Sequence, residues 1–447
     1  MPNSEKLRRM GLDKAAFLIL LMLGLIIAKF VISSKTSFNL SGSIALKGTG
    51  LEVSMPSSEN WKLLSNDFKY ENNEFRISAI MRISSDSAIS ATWRYLLIPQ
   101  KTDPNERFLQ IAASLQGHIQ YAGAEEFGQF IFDYARIESQ KAFIFVGTAV
   151  LPNGRNLVLE VVGQGTAVEL SEKLFKALLA SAKYNADNSF VKGALFLDDF
   201  KNKFMPDVAD ADLSEQMISD YYRIKDTAGN TIGFTTDTLS YSDQSDNNLP
   251  LSSGNLLFYS PSSDTFAEHS LFRSDTKLTS FDWTISQGFM LTNRQQRTII
   301  QLRADVLTIE KSGRFEQMPF TEIMIPDSLF DLVVASFLKS DFSTLYIESL
   351  QADGRISPVI LSRIKSTETA ALPERSAAQA DFLGAVATSQ KMYFDGRGRL
   401  VSADIQGNFT FRLERTTRAA ILADFPQWLD KIQQLEQSQN KKNQRSR

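Results

Sequence analysis

Hydrophobic and polar residues alternate with a period of two along much of the chain, which is the pattern of strands with one buried face. Residues 75–83 (FRISAIMRI) are the clearest case. Residues 142–150 and 156–162 repeat the pattern on either side of Pro152-Asn153-Gly154. Asn-Gly between two apolar strands is typical of a tight turn, so these two segments are predicted to form a hairpin.

Residues 105–116 and 169–182 space their apolar positions as amphipathic helices do. Together with the strands they predict a first unit of mixed strands and helices over residues 50–184. Residues 214–429 predict a second unit, with many short antiparallel strands joined by glycine turns and one apolar helix near residues 326–338. The predicted fold class is therefore α+β and rich in strands, with a curved antiparallel sheet or open half-barrel and a packed helix in the second unit.

The first unit resembles the PsbP/Mog1-like α/β sandwich. The likeness lies in an opening strand that stops at Met55-Pro56, in Trp61, in the Pro152-Asn153-Gly154 turn, and in the closing Leu-Leu-Ala-Ser-Ala-Lys-Tyr of residues 178–184. This resemblance covers about 135 residues. It implies an exported or partner-binding accessory domain that usually lacks catalysis.

The second unit resembles the half-barrels of LolA/LolB-like lipoprotein carriers. The segments that carry the likeness are Tyr222-Arg223-Ile224, Ile232-Gly233-Phe234, the Ile-Pro-Asp-Ser-Leu start of the apolar helix, and Tyr393-Phe394-Asp395-Gly396. The resemblance implies a concave apolar face that holds an acyl chain or a hydrophobic segment of a partner. The candidate residues for such a face are Leu329, Phe330, Val333 and Phe337. Ordinary core packing of this helix is the competing interpretation.

Residues 15–32 are apolar except for Lys29, and a helix of that length spans about 27 Å, close to the hydrocarbon core of a bilayer. This predicts a transmembrane anchor at residues 15–33, with apolar positions Ala15, Leu18, Leu21, Leu25, Ile27 and Phe30. The basic residues before it are Lys6, Arg8, Arg9 and Lys14. They predict an N-terminus in the cytoplasm and a single-pass protein of the inner membrane, with the rest of the chain extracytoplasmic. A cleaved signal peptide is the alternative, and it exports the same residues.

The remaining segments follow from these assignments. Residues 1–14 are the cytoplasmic N-terminus, residues 34–49 a stalk and residues 185–213 a linker. Residues 430–447 form a polar tail with a basic end that is expected to be disordered.

Composition excludes several kinds of function. The chain has no cysteine and only two histidines, His118 and His269, so thiolate chemistry, disulfides and a histidine-rich metal site are excluded. The net charge of −3 gives no general attraction to nucleic acid. No cofactor motif is present.

Few residues suggest catalysis. Ser-x-x-Lys occurs four times, but the Lys-Thr-Gly that accompanies it in β-lactamase-type enzymes is missing. Asp207, Asp210 and Asp212 fit an acidic linker better than a calcium loop, because the glycine and the distal glutamate of an EF-hand are absent. His118 and His269 are expected at the surface, with His269 in a polar turn.

The sequence predicts a non-catalytic accessory protein of a bacterial cell envelope, bound to the membrane and to other envelope proteins. The first alternative is a carrier or sensor of lipid or lipoprotein acyl chains. The second is an envelope hydrolase, which requires a cleft with a pair of carboxylates or an activated serine.

Overall fold

The fold is taken from a computed structural model. It describes residues 39–84, 87–99, 103–164, 167–204, 218–241, 249–260, 265–289, 294–364, 376–384 and 388–426. The α-helices among them are α1 Pro104–Ser114, α2 Val168–Ser181, α3 Ser189–Asp199, α4 Phe330–Lys339 and α5 Arg418–Asp424. A π-helical turn, Phe200–Phe204, extends α3, and a 3₁₀ turn, Asp327–Leu329, leads into α4.

The first unit is an antiparallel sheet with one helix on each face. Its strands are β1 Asn39–Leu40, β2 Ile44–Ala45, β3 Leu51–Val53, β4 Pro56–Ser57, β5 Trp61–Leu63, β6 Lys69–Glu71, β7 Glu74–Ser84, β8 Ser87–Leu96, β9 His118–Phe127, β10 Phe130–Glu138, β11 Phe143–Val150, β12 Asn156–Gly163 and β13 Lys183–Tyr184. The main sheet runs β5-β7-β8-β12-β11-β10-β9, and β6 pairs with β7. Successive residues of β11 face opposite sides of the sheet, and each side is covered by one helix. Val146 packs with Phe108 of α1, whereas Gly147 lies against Phe175 of α2.

The second unit is a single sheet of 15 strands. Its strands are β14 Ile218–Lys225, β15 Thr231–Tyr241, β16 Leu251–Tyr259, β17 Phe266–Ser274, β18 Phe281–Phe289, β19 Arg294–Arg303, β20 Val306–Lys311, β21 Arg314–Pro319, β22 Met324–Pro326, β23 Thr344–Leu350, β24 Ile356–Arg363, β25 Ser376–Phe382, β26 Thr388–Phe394, β27 Leu400–Gln406 and β28 Phe411–Thr416. The first strand, β14, pairs with the last, β28, so the chain starts and ends in the middle of the sheet.

Connectivity requires this sheet to curl into a barrel-like shape. Its two edge strands are β21 and β22, which lie at opposite ends of the strand order. A flat sheet of this size would separate them by about 67 Å, at about 4.8 Å per strand. The chain from Pro319 to Met324 reaches at most about 18 Å. The edges must therefore come together, and residues 320–323 form the seam between them.

Both edges are tied to the seam by backbone hydrogen bonds. The Phe320 amide donates to the Asp305 carbonyl at 2.8 Å, and the Glu348 amide donates to the Ile323 carbonyl at 2.9 Å. Helix α3 covers β23 beside the seam from outside. It approaches so closely that a Cβ at Gly193 would lie 1.8 Å from the Tyr346 carbonyl oxygen. A glycine is therefore required at this contact.

The 3₁₀ turn and α4 fill part of the barrel-like interior. Ser253 Oγ of β16 donates to the Ser328 carbonyl at 3.4 Å, and Ser349 Oγ of β23 donates to Asp327 at 3.0 Å. The ring of Phe330 lies 5.4 Å from that of Phe382 on β25. The turn thus contacts strands on two sides of the curled sheet, which places it on the inner face.

A buried ion pair joins the two units at the seam. Arg155, in the turn between β11 and β12, donates to Glu348 of β23 at 2.8 Å and to Thr321 Oγ1 at 3.1 Å. The side chains of Arg155 and Glu348 are 1% and 0% exposed. The guanidinium also lies 5.5 Å from the ring of Phe190 in α3. The two units therefore share one continuous core.

The predicted fold class needs one correction. Among the described residues no helix is long and apolar enough to cross a membrane. The longest of the α-helices given above, α2, has 14 residues and spans only about 21 Å. The fold class with a single-pass membrane helix is thus wrong for the described structure, which is rich in strands and barrel-like. Residues 15–33, where the anchor was predicted, lie outside the described residues.

Two further expectations differ from the structure. Residues 185–213, predicted as a linker, contain α3, whose apolar residues Phe190, Phe196 and Leu197 are buried. His269, predicted in a polar turn, lies within β17 and is half-buried. In both cases a short apolar pattern is interrupted by polar residues that face away from the core, which hides the element.

Candidate functional site

The sequence-predicted residues fall into two groups. The anchor positions Ala15, Leu18, Leu21, Leu25, Ile27 and Phe30, and the topology positions Lys6, Arg8, Arg9 and Lys14, lie outside the described residues. Leu329, Phe330, Val333 and Phe337 are all buried, with Phe330 the most exposed at 5%. Phe337 packs edge-on against Phe196 of α3. The structure therefore gives these four side chains core contacts.

Carboxyl groups collect on the inner face of the curled sheet. On β16, Asn255 and Leu257 lie two and four residues after the inward-facing Ser253, so both face inward as well. Asp237 of β15 is the cross-strand partner of Asn255, and Glu268 of β17 is the cross-strand partner of Leu257. Cross-strand partners share a face, so these side chains point inward. Asp327 and Asp331 approach them from the 3₁₀ turn and α4.

We call Asp237, Glu268, Asp327 and Asp331 the acidic cluster. Each of the four residues is half-buried. Asn255 donates to Asp237 at 2.6 Å, while Ser349 and Gln351 donate to Asp327 at 3.0 and 3.3 Å. These donors orient two of the carboxylates without neutralising them.

Burial raises the pKa of every member of the cluster. Loss of hydration is the largest cause for all four. Repulsion from neighbouring carboxylates adds to it for Asp237, Glu268 and Asp331, whereas hydrogen bonds from Ser349 and Gln351 oppose it at Asp327. The pKa rises to about 6 for Asp237, about 7 for Glu268 and about 8 for Asp331. Near neutral pH, Asp331 thus holds a proton that an exposed aspartate would have released.

The cluster lacks a counter-ion within the part of the chain that the structure describes. No Lys or Arg there forms a salt bridge with any of its four members. Two arginines lie nearby but pair elsewhere: Arg399 and Arg415 both contact Asp220, which faces Asp237 across β14 and β15. These arginines therefore neutralise Asp220, and they form no salt bridge with the acidic cluster.

Three buried donors lie on the same inner face. Ser274 Oγ, Trp283 Nε1 and Thr298 Oγ1 are buried on the inner face of β17–β19 and have no hydrogen-bond partner among the described residues. No three carboxyls or histidines in the described ranges converge closely enough to hold a metal ion. The inner face thus carries separate carboxylates together with buried donors that have no partner there.

The sequence carried one signal for this site. In Thr231–Tyr241 the inward positions include Thr235, Asp237 and Leu239, and a carboxylate at an inward position interrupts the expected apolar face. The other members gave no signal, because Glu268 looks like a solvent-facing strand residue. Asp327 and Asp331 look like ordinary acidic residues of a first helical turn.

Comparisons with known proteins give little for this chain. No family model matches it, and no curated protein matches it. A β-barrel-like protein of unknown function from Brucella abortus aligns at a TM-score of 0.34 and 7% identity, over 44% of this chain and 95% of its own. LpqN of Mycobacterium tuberculosis, described as involved in cell envelope biogenesis, aligns at 0.20 and 12% identity, over 33% and 90%. A protein of unknown function from Nostoc punctiforme aligns at 0.12 and 7% identity, over 85% and 93%. These TM-scores are low, and the description of the fold rests on the strand pairings alone.

Proposed function

We propose that this chain is a non-catalytic binding protein of a bacterial cell envelope, and that its curled sheet receives a positively charged group of a protein partner. One observation carries the proposal: four inward carboxyls, near enough to influence one another's charge, have no salt-bridge partner among the described residues. A lysine or arginine side chain supplies the missing charge. Near neutral pH its arrival draws protons off Asp331 and Glu268, because a nearby cation lowers a carboxyl pKa.

The electrostatic energy available at the carboxylates, and the lack of free apolar surface, favour a cation over an acyl chain as the ligand. A unit charge about 4 Å from a carboxylate gains about 4 kcal/mol at an effective dielectric constant of about 20. The apolar face at Leu329, Phe330, Val333 and Phe337 is occupied by core contacts, so it offers an acyl chain no free surface.

The envelope location rests on the sequence. Four basic residues precede the apolar stretch 15–32, and the chain has no cysteine. LpqN, which is described as involved in cell envelope biogenesis, is the neighbour in keeping with this location. The same proposal includes that the second unit is related to LolA/LolB-like half-barrels and the first unit to PsbP/Mog1-like domains.

One observation favours a second candidate function. The titrations of Asp237 and Asp331 are linked through repulsion, and their pKa values are split to about 6 and about 8. A split pair can supply a general base and a general acid to a hydrolase. This candidate requires turnover that both Asp237→Asn and Asp331→Asn abolish, whereas the binding protein has no turnover to lose.

Calorimetric titration of the full chain with tetralysine tests the proposal, and tetraglutamate serves as the peptide control. We expect tetralysine alone to bind, and Asp331→Asn or Asp237→Asn to weaken it by about tenfold, about 1.4 kcal/mol. Asp187→Asn is the matched control, since its side chain is 84% exposed and far from the cluster in sequence. Equal losses in Asp187→Asn and Asp331→Asn would show nonspecific attraction and refute the site.

A further inference from the structure

Strand β9 forms an open edge of the first sheet. It pairs with β10 on one side only, and its residues from Gln120 to Glu126 are all exposed. It contains neither proline nor lysine, two of the usual protections of an edge strand, although it carries Glu125 and Glu126 and a bulge at Gln120. The opposite edge of this sheet is much shorter, because β5 has only three residues. Among the described strands of the first sheet, β9 is therefore the long open edge.

The turn fixes which amides of β9 point outward. Phe127 and Phe130 flank the two-residue turn Gly128-Gln129, so they form a hydrogen-bonded pair. Bonded and non-bonded pairs alternate along antiparallel strands. The amides of Gly123 and Glu125 therefore face β10, and those of Ala122, Ala124 and Glu126 face outward. The outward donors stand next to small side chains.

We infer that a second copy of this chain pairs antiparallel with β9, with the two-fold axis at Gly123. This register places Ala122 opposite Ala124, Tyr121 opposite Glu125 and Gln120 opposite Glu126. Small side chains at the centre let the backbones approach, and no like charges face each other. A register centred on Glu125 would set that carboxylate against its own copy. Charge therefore disfavours that second register.

An exposed apolar side chain lies one strand in from the open edge. Ile131 of β10 is 69% exposed and lies opposite Glu126, beside the open edge. In the proposed dimer the partner's strand continues the sheet past this position, on the same face as helix α1. The two eight-stranded sheets become one. This surface is separate from the acidic cluster, so a test of the dimer does not test the proposed binding site.

Sedimentation velocity of the full chain across about 1–100 µM tests the dimer. Ala124→Pro removes an outward amide and leaves the β9–β10 bonds intact, so we expect a monomer. Ala124→Ser keeps the amide and should remain dimeric. If wild type is monomeric throughout, or if Ala124→Pro dimerises as wild type does, the inference is wrong. A monomeric wild type would leave this edge for a strand of another protein.

Charge at Tyr121 tests the register and does not depend on a proline. Tyr121→Lys and Tyr121→Glu both lose the ring contact with Tyr134 at 6.1 Å. Only the lysine variant gains attraction to Glu125 of the second copy, twice per dimer. We expect the glutamate variant to dissociate about fivefold to tenfold more readily than the lysine variant. Equal dissociation constants, or the reverse order, would overturn this pairing.

Discussion

The buried pair Arg155–Glu348 gives the sharpest prediction about stability. Replacing Glu348 by leucine leaves the Arg155 guanidinium, 1% exposed, without its carboxylate. An arginine cannot shed its proton at accessible pH, so the charge remains buried. Breaking one side of such a pair typically costs about 3–5 kcal/mol. We expect Glu348→Leu to lower the free energy of unfolding by this amount at pH 6. The loss should shrink by about 1.4 kcal/mol by pH 9, because only wild type carries a carboxyl with a raised pKa.

The reverse substitution, Arg155→Met, should depend on pH. Burial raises the pKa of Glu348 to about 7 even though Arg155 lowers it. Without Arg155 the pKa rises further, and the carboxyl stays neutral in the folded state. A raised folded pKa means that stability is lost as the pH climbs above the unfolded value of about 4.3. Wild type stops losing stability near pH 7, whereas the variant continues, at up to about 1.4 kcal/mol per pH unit.

Urea unfolding of the full chain, followed by tryptophan fluorescence at pH 6, 7, 8 and 9, measures both effects. Comparing variants at the same pH cancels the titration of all other groups. The double variant Arg155→Met/Glu348→Leu removes both charges and should recover most of the loss. If the loss in Arg155→Met is the same at every pH, or the double variant is no more stable than Glu348→Leu, the reasoning is refuted.

Three further predictions concern other parts of the fold. Asp331→Asn removes a carboxyl whose pKa is raised to about 8, so its stability relative to wild type should rise by about 4 kcal/mol between pH 5 and pH 9 in urea unfolding. An unchanged difference would contradict the raised pKa. Gly193→Ala should lower the melting temperature, because its Cβ would clash with the Tyr346 carbonyl, whereas Gly42→Ala has open space and should not. Phe337→Ala should lower the free energy of unfolding in urea by about 3–5 kcal/mol, since it opens a cavity between α3 and α4. A loss under about 1 kcal/mol would mean that the site is not core.

Local structure was predictable where a segment carries its own pattern. The hairpin at Pro152-Asn153-Gly154 and the helix near residues 105–116 formed as predicted, because turn chemistry and helical spacing act over a few residues. The curled second sheet also follows the predicted succession of short strands. These elements need no information from distant parts of the chain.

Contacts between distant residues were not predictable. Arg155 and Glu348 are 193 positions apart, and each looks like an ordinary surface charge in its own strand or turn. Asp237 and Asp331 come together only because the sheet curls, and the curl follows from edges that meet at residues 320–323. The apolar helix shows the converse: its face at Phe330 and Phe337 had two interpretations, and packing partners decide between them.

Cation binding by the acidic cluster can be read from the protonation of Asp331. A carboxyl-detected nuclear magnetic resonance titration of the full chain, with and without saturating tetralysine, measures it. We expect Asp331 to titrate near pH 8 in the free protein. With the peptide bound, its midpoint should fall by at least one pH unit, about 1.4 kcal/mol. An Asp331 midpoint near the ordinary value of about 3.9 in the free protein, or one that tetralysine leaves unchanged, would show that the cluster does not bind a cation in this way.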